Sequence, residues 1–107
     1  MNEAQKKKRS FRDSKKWKDF RKKKMKEQKV DIITGSKLQG RWNLHHCDLR
    51  EKNYEDLSHE DWFTCLNSAT HDAVHFLYRY YRKDKTIMER LTKLLELMYN
   101  IEEGYLD

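Results

Sequence analysis

The sequence predicts an α+β fold in which a small strand–loop–strand unit lies between helices. Three observations carry that expectation. Proline is absent and glycine occurs only three times, which favours long helices over a loop-rich or all-β chain. Apolar residues recur at helical spacing over residues 10–28, 68–83 and 86–101. Between the first two stretches lie short runs rich in β-branched and aromatic residues. At 107 residues the chain is one domain by length, with room for a modest core.

The elements follow in chain order. Phe11, Ser14, Trp17, Phe20 and Lys24 are spaced as one helical face, so a helix is expected from Ser10 to Gln28. Its aromatic stripe would dock on the domain and its lysines would face outward. Val30 to Leu38 reads as a short β-rich run broken by a Gly-Ser turn. Gly40 leads into a second strand over Arg41–Leu49, and the polar residues 50–61 form a loop. Trp62 to Leu66 has strand composition. Asn67 or Ser68 can cap a helix that ends near Lys83. A last helix is expected to start at Thr86, where Thr86-Ile87-Met88-Glu89 fits a capping box, and to end near Gly104. Its Ile87, Leu91, Leu94, Leu95, Met98 and Ile101 form an apolar stripe suited to a core or to a dimer, so monomer and dimer are both open.

Charge is concentrated at one end. The first 30 residues hold 14 Lys/Arg against four Asp/Glu, whereas the other 77 hold ten against 14. The basicity thus belongs to an arm, residues 1–29, and an arm of that density favours polyanions. Phe11, Trp17 and Phe20 argue against a solvated tail, because such tails carry few aromatics. No apolar stretch is long enough to span a membrane, and the lysine-rich beginning of the sequence has no apolar segment of the signal-peptide kind. Cys47 and Cys65 are too few and too isolated for a disulfide scaffold, and they read as small hydrophobes near the core. The expectation is a soluble intracellular protein.

Four of the five histidines fall into two pairs. His45-His46 closes the apolar run Trp42-Asn43-Leu44. His71 and His75 stand at i, i+4 in Ser68-Ala69-Thr70-His71-Asp72-Ala73-Val74-His75, so both rings project from one helical face. Neutral imidazole is the commonest protein ligand for a divalent metal, and it also moves protons near neutral pH. A cation beside a histidine base in a basic protein points to metal-assisted attack on a phosphodiester.

The order strand ending in His-His, polar loop, strand, helix bearing two histidines resembles the HNH family of nucleases, with its ββα-metal module. Ile33-Thr34-Gly35-Ser36-Lys37-Leu38, Trp42 to His46 and Phe63 to His75 look like the small HNH proteins of bacteriophages. The resemblance covers roughly residues 30–82. It implies an HNH core over 30–83, flanked by the basic arm (1–29) and a C-terminal amphipathic helix (84–107). It also implies a DNA endonuclease acting in the cytoplasm of a bacterial host. His45 and His71 would be ligands to one divalent ion (Mg, Mn, Ni or Zn), and His46 the general base. His75 would be a further ligand or a contact to the scissile phosphate. In the arm, Lys15, Lys16, Lys18, Arg21, Lys22, Lys23 and Lys24 would grip the DNA phosphates.

Two departures from the family stand out. The Cys-x-x-Cys knuckles of many members are replaced here by residues such as Asn67 and Thr70, so no structural zinc is expected. The central Asn of the motif has three candidates: Asn53, Asp61 and Asn67. A rival from another class is a non-catalytic nucleic-acid-binding protein. In it, Cys47, His71, His75 and one of the His pair hold structural zinc, or the histidines hold nothing. His59 reads as a solvated loop residue.

Overall fold

Periodicity predicts one helix through the basic segment, but a break at Asp13-Ser14 makes two: α1 (Glu3–Arg12) and α2 (Lys15–Gln28). The cause is local. Ser14 adopts extended backbone and its hydroxyl accepts the Trp17 N–H, capping a new helix, while the Asp13 N–H closes the old one on the Arg9 carbonyl. The break lets Phe11 and Trp17 approach to 5.6 Å between ring centroids. These relations come from a computed structural model that describes residues 2–105.

Helix α2 ends at Lys29, which takes the left-handed conformation (φ 65°) of a C-terminal cap. The β-rich run expected over Val30–Leu38 does not form a strand; only a single bridge joins Val30 to Lys37. Asp31 is the reason. Its carboxylate accepts the Ile33 and Thr34 N–H groups, which winds the backbone into a turn and occupies the donors that a strand would need. Ile32 and Ile33 remain exposed.

The sheet is a two-stranded antiparallel ribbon of β1 (Asn43–His46) and β2 (Phe63–Leu66). Its register pairs Asn43 with Leu66, Leu44 with Cys65, His45 with Thr64 and His46 with Phe63. Opposed residues share a face and consecutive residues alternate. One face therefore carries Leu44, His46, Phe63 and Cys65, and the other carries Asn43, His45, Thr64 and Leu66. Helix α2 covers the first face: Phe20 meets Phe63 edge-on at 4.8 Å, within a cluster that also holds Leu38, Trp42, Leu44 and Cys65. Trp17 and Leu57 pack at its margin. A two-stranded ribbon is marginal by itself, so this cover is what stabilises it.

The outer edge of β2 is closed by a side chain. The Gln28 amide accepts the Cys65 N–H and donates to the Cys65 carbonyl, replacing a missing strand. The segment between the strands contains two single helical turns, Glu51–Asn53 and Glu60–Trp62. It is tied by Asp48, which accepts from Arg50 and from the Asn53 amide.

Two helices follow: α3 (Ser68–Lys83) and α4 (Lys85–Glu102). The capping box expected from Thr86 is displaced by Asp84, whose carboxylate accepts both the Thr86 N–H and its hydroxyl. The charged acceptor two residues ahead outcompetes a neutral one at the helix start. The chain divides into two compact units, Met1–His71 and Asp72–Asp107, and the division falls inside α3. Among the described residues no helix is long and apolar enough to cross a membrane.

Candidate metal centre

The centre is assembled from the second face of the ribbon and the start of α3. His45 sits on that face within the pairing, opposite Thr64, so the antiparallel ladder to β2 holds its backbone. It is buried, at 8% exposure.

A single buried carboxylate anchors the start of α3. Asp31 is fully buried and accepts the Asn67 N–H at 2.8 Å as well as the N–H groups of Ile33 and Thr34. Burial alone would raise its carboxyl, but the donors of Thr34, Asn67, Thr70 and Ile33 outweigh it and hold the group down at about 2. Asn67 in turn accepts the Gln39 N–H through its side-chain oxygen and donates to the Lys37 carbonyl. The 31–39 loop and the first turn of α3 are thereby locked together immediately before His71. Asp31 carries no signal of this role in its immediate neighbours Ile32 and Ile33, although Thr34-Gly35-Ser36 just beyond them is turn-forming.

His71 presents its ring edge-on to His45, with centroids 5.4 Å apart and planes at 71°. His75 follows one turn later on the same helix. Nitrogen atoms of His45, His71 and His75, one from each ring, all lie within 4.8 Å of one another. His71 and His75 are half-buried. Three convergent imidazoles are a donor set that suits a divalent first-row ion, and three protein ligands leave a position for water or substrate.

His46 is not part of this group. The pleat turns its ring to the opposite face, where it stacks on Phe63 at 4.1 Å and 17°. Burial pushes its imidazole down, against the opposing pull of the Asp48 and Asp56 carboxylates. The neutral ring is accordingly favoured at neutral pH. Asp48 itself is held well below the usual carboxylate range by the Arg50 guanidinium and the Asn53 amide.

The cysteines separate. Cys65 is a buried core residue, as expected, but Cys47 is exposed and is no core hydrophobe, because it lies just past β1 where the ribbon opens into the loop. It does not belong to the histidine group. His59 is exposed and stacks on Trp62 at 4.0 Å. Of the three candidates for the central Asn, Asn53 braces the inter-strand loop on Asp48, while Asn67 clamps the loop before β1.

The cations of α2 are not equivalent. Arg21 lies flat on Trp42, 3.7 Å from the ring centroid, and donates to the Trp42 carbonyl. Lys23 pairs with Glu60 at 2.6 Å. Lys24 pairs with Glu27 while its stem lies mostly buried, and Lys15 pairs with Asp19. Lys16, Lys18 and Lys22 are exposed. Compared with protein-family models, with curated proteins and with solved structures, the chain matches none.

Proposed function

We propose that the chain is a metal-dependent DNA endonuclease of the HNH type, with a ββα-metal core. The observation that carries the proposal is the convergence of His45, His71 and His75 across a strand and a helix that are far apart in sequence. His45, His71 and His75 hold one divalent cation through their ring nitrogens. That cation, when bound, neutralises charge on the scissile phosphate and polarises its oxygens. His46, neutral at working pH, takes the proton of a water that attacks phosphorus in line with the leaving oxygen. The bond from phosphorus to the 3′-oxygen breaks, leaving a 5′-phosphate and a 3′-hydroxyl. Lys16, Lys18 and Lys22 meet the phosphate backbone.

The metal and base assignments are separable, since His46 stacks on the face opposite His45. The test is plasmid cleavage in Mg²⁺, Mn²⁺, Ni²⁺ or Zn²⁺ by the wild type, His71→Ala and His46→Ala. The expected outcome is metal-dependent cutting that both substitutions abolish, with His71→Ala alone lowering metal affinity in calorimetric titration. Cutting that survives His46→Ala removes that residue from the base role. No cutting with any metal, alongside salt-sensitive DNA binding, assigns the chain to non-catalytic nucleic-acid binding with a structural ion.

A further inference from the structure

Helix α3 carries more than two histidines on the face that holds His71 and His75. His71, His75, Tyr78 and Arg82 follow one another at steps of four, three and four residues, and Arg79 stands four residues after His75. Side chains at that spacing share one side of a helix, so the histidine face runs on into Tyr78, Arg79 and Arg82. At about 1.5 Å per residue, Arg79 lies roughly 6 Å and Arg82 roughly 10 Å beyond His75 along the axis. The longer distance is the span of about three nucleotides at about 3.4 Å each.

The fold leaves these three side chains at the surface. Tyr78 is 42% exposed, whereas Phe20 and Phe63 are buried in the core. Its ring runs beside that of Tyr81, itself exposed, with planes 28° and centroids 6.5 Å apart. Arg79 and Arg82 are exposed as well. Among the described residues neither guanidinium is paired with a carboxylate, unlike Lys23 with Glu60 or Arg50 with Asp48. After Asp72 the helix has no acidic residue. Charge and shape together choose the occupant. A guanidinium fork matches two phosphate oxygens, and an open tyrosine ring stacks on the flat face of a base. Within a duplex those base faces are covered by the pairs above and below, so Tyr78 can stack only on an unpaired base.

We infer that this face of α3 is a track for a single DNA strand, with Arg79 and Arg82 on its phosphates and Tyr78 stacked on an unpaired base. The inference rests on the nuclease reading for its choice of DNA, and it names the substrate as DNA with an unpaired stretch beside the cut.

Fluorescence anisotropy of the full chain in EDTA tests the track without any cleavage. The probes are a labelled thymidine oligonucleotide of about 12 nucleotides and a duplex of the same length. Tyr78→Ala should weaken binding of the single strand by about fivefold or more and leave the duplex nearly unchanged. Tyr78→Phe, which keeps the ring, should bind the single strand as the wild type does. The double variant Arg79→Gln, Arg82→Gln should lower the slope of log K against log salt on the single strand by about 1.4. A wild type that binds no single strand, an affinity that Tyr78→Ala leaves unchanged, or an equal loss on the duplex overturns the track. So does an unchanged salt slope in the arginine variant. The nuclease reading fails separately. If no metal supports cutting while Tyr78→Ala still loses the single strand, the track stands and the nuclease falls. If cutting is found and Tyr78→Ala binds as before, the nuclease stands and the track falls.

Discussion

Asp31 shows how one residue can order a site that it does not touch. Its carboxylate gathers donors from two segments far apart in sequence, and every one of those bonds favours the charged form. The folded group titrates near 2, against an ordinary value of 3.8. Because the folded value is the lower one, its contribution is complete above pH 4 or so and is lost as pH falls through 2. Asp31→Asn keeps the shape but removes the charge and offers one acceptor in place of two. It should destabilise the fold at neutral pH by about 1–3 kcal/mol. It should also flatten the fall in stability between roughly pH 4 and 2. Urea unfolding across that range reads both effects, and an unchanged acid slope would remove Asp31 as the acid-sensitive anchor.

At the scale of elements, the arm is a structural part of the fold. Phe11, Trp17 and Phe20 run in a chain of ring contacts from Tyr54 to Phe63, so α1 and α2 supply one side of the core. Phe20→Ala should cost about 3–5 kcal/mol in chemical denaturation, because nothing near the ribbon can fill the space. A loss below about 1 kcal/mol would mean that α2 is dispensable to the ribbon. The aromatic stripe of α2 and the histidine face of α3 were legible in the sequence because each is a repeat within one element. The break at Ser14 was not, since helical spacing continues through it and only the cap decides. The turn at Asp31 was also missed. Its β-branched neighbours suggest a strand, but partners supplied by Asn67 and Thr70 favour the turn.

For the whole molecule, the uneven charge has a sharper meaning once α2 is seen in place. Arg21 is occupied by Trp42 and Lys23 by Glu60, so they serve packing as well as charge. The proposed phosphate contacts narrow to Lys16, Lys18 and Lys22. Removing the whole arm would take the core with it, so the informative variant is the triple Lys→Gln at these positions. On the nuclease proposal it should lower DNA affinity and reduce the slope of log K against log salt by about 2–3. Thermal unfolding should stay near the wild type. A slope equal to that of the wild type would place the phosphate contacts elsewhere.

Local patterns in the sequence were enough for the α+β class, for strands within Arg41–Leu49 and Trp62–Leu66 (found as Asn43–His46 and Phe63–Leu66), for the helices that follow, and for His71 and His75 on one face. All of these rest on composition and periodicity, which are local properties of the chain. Spacing left open which of His45 and His46 joins the helical pair; the HNH resemblance implied His45, and the tertiary structure brings His45 to His71 and His75. A pleated strand sends consecutive residues to opposite faces, and only the packing of α2 on one face shows which histidine is left for the other. Tertiary structure alone decided that a buried carboxylate at Asp31 sets the start of the helix carrying His71, because its donors come from segments that sequence spacing does not relate.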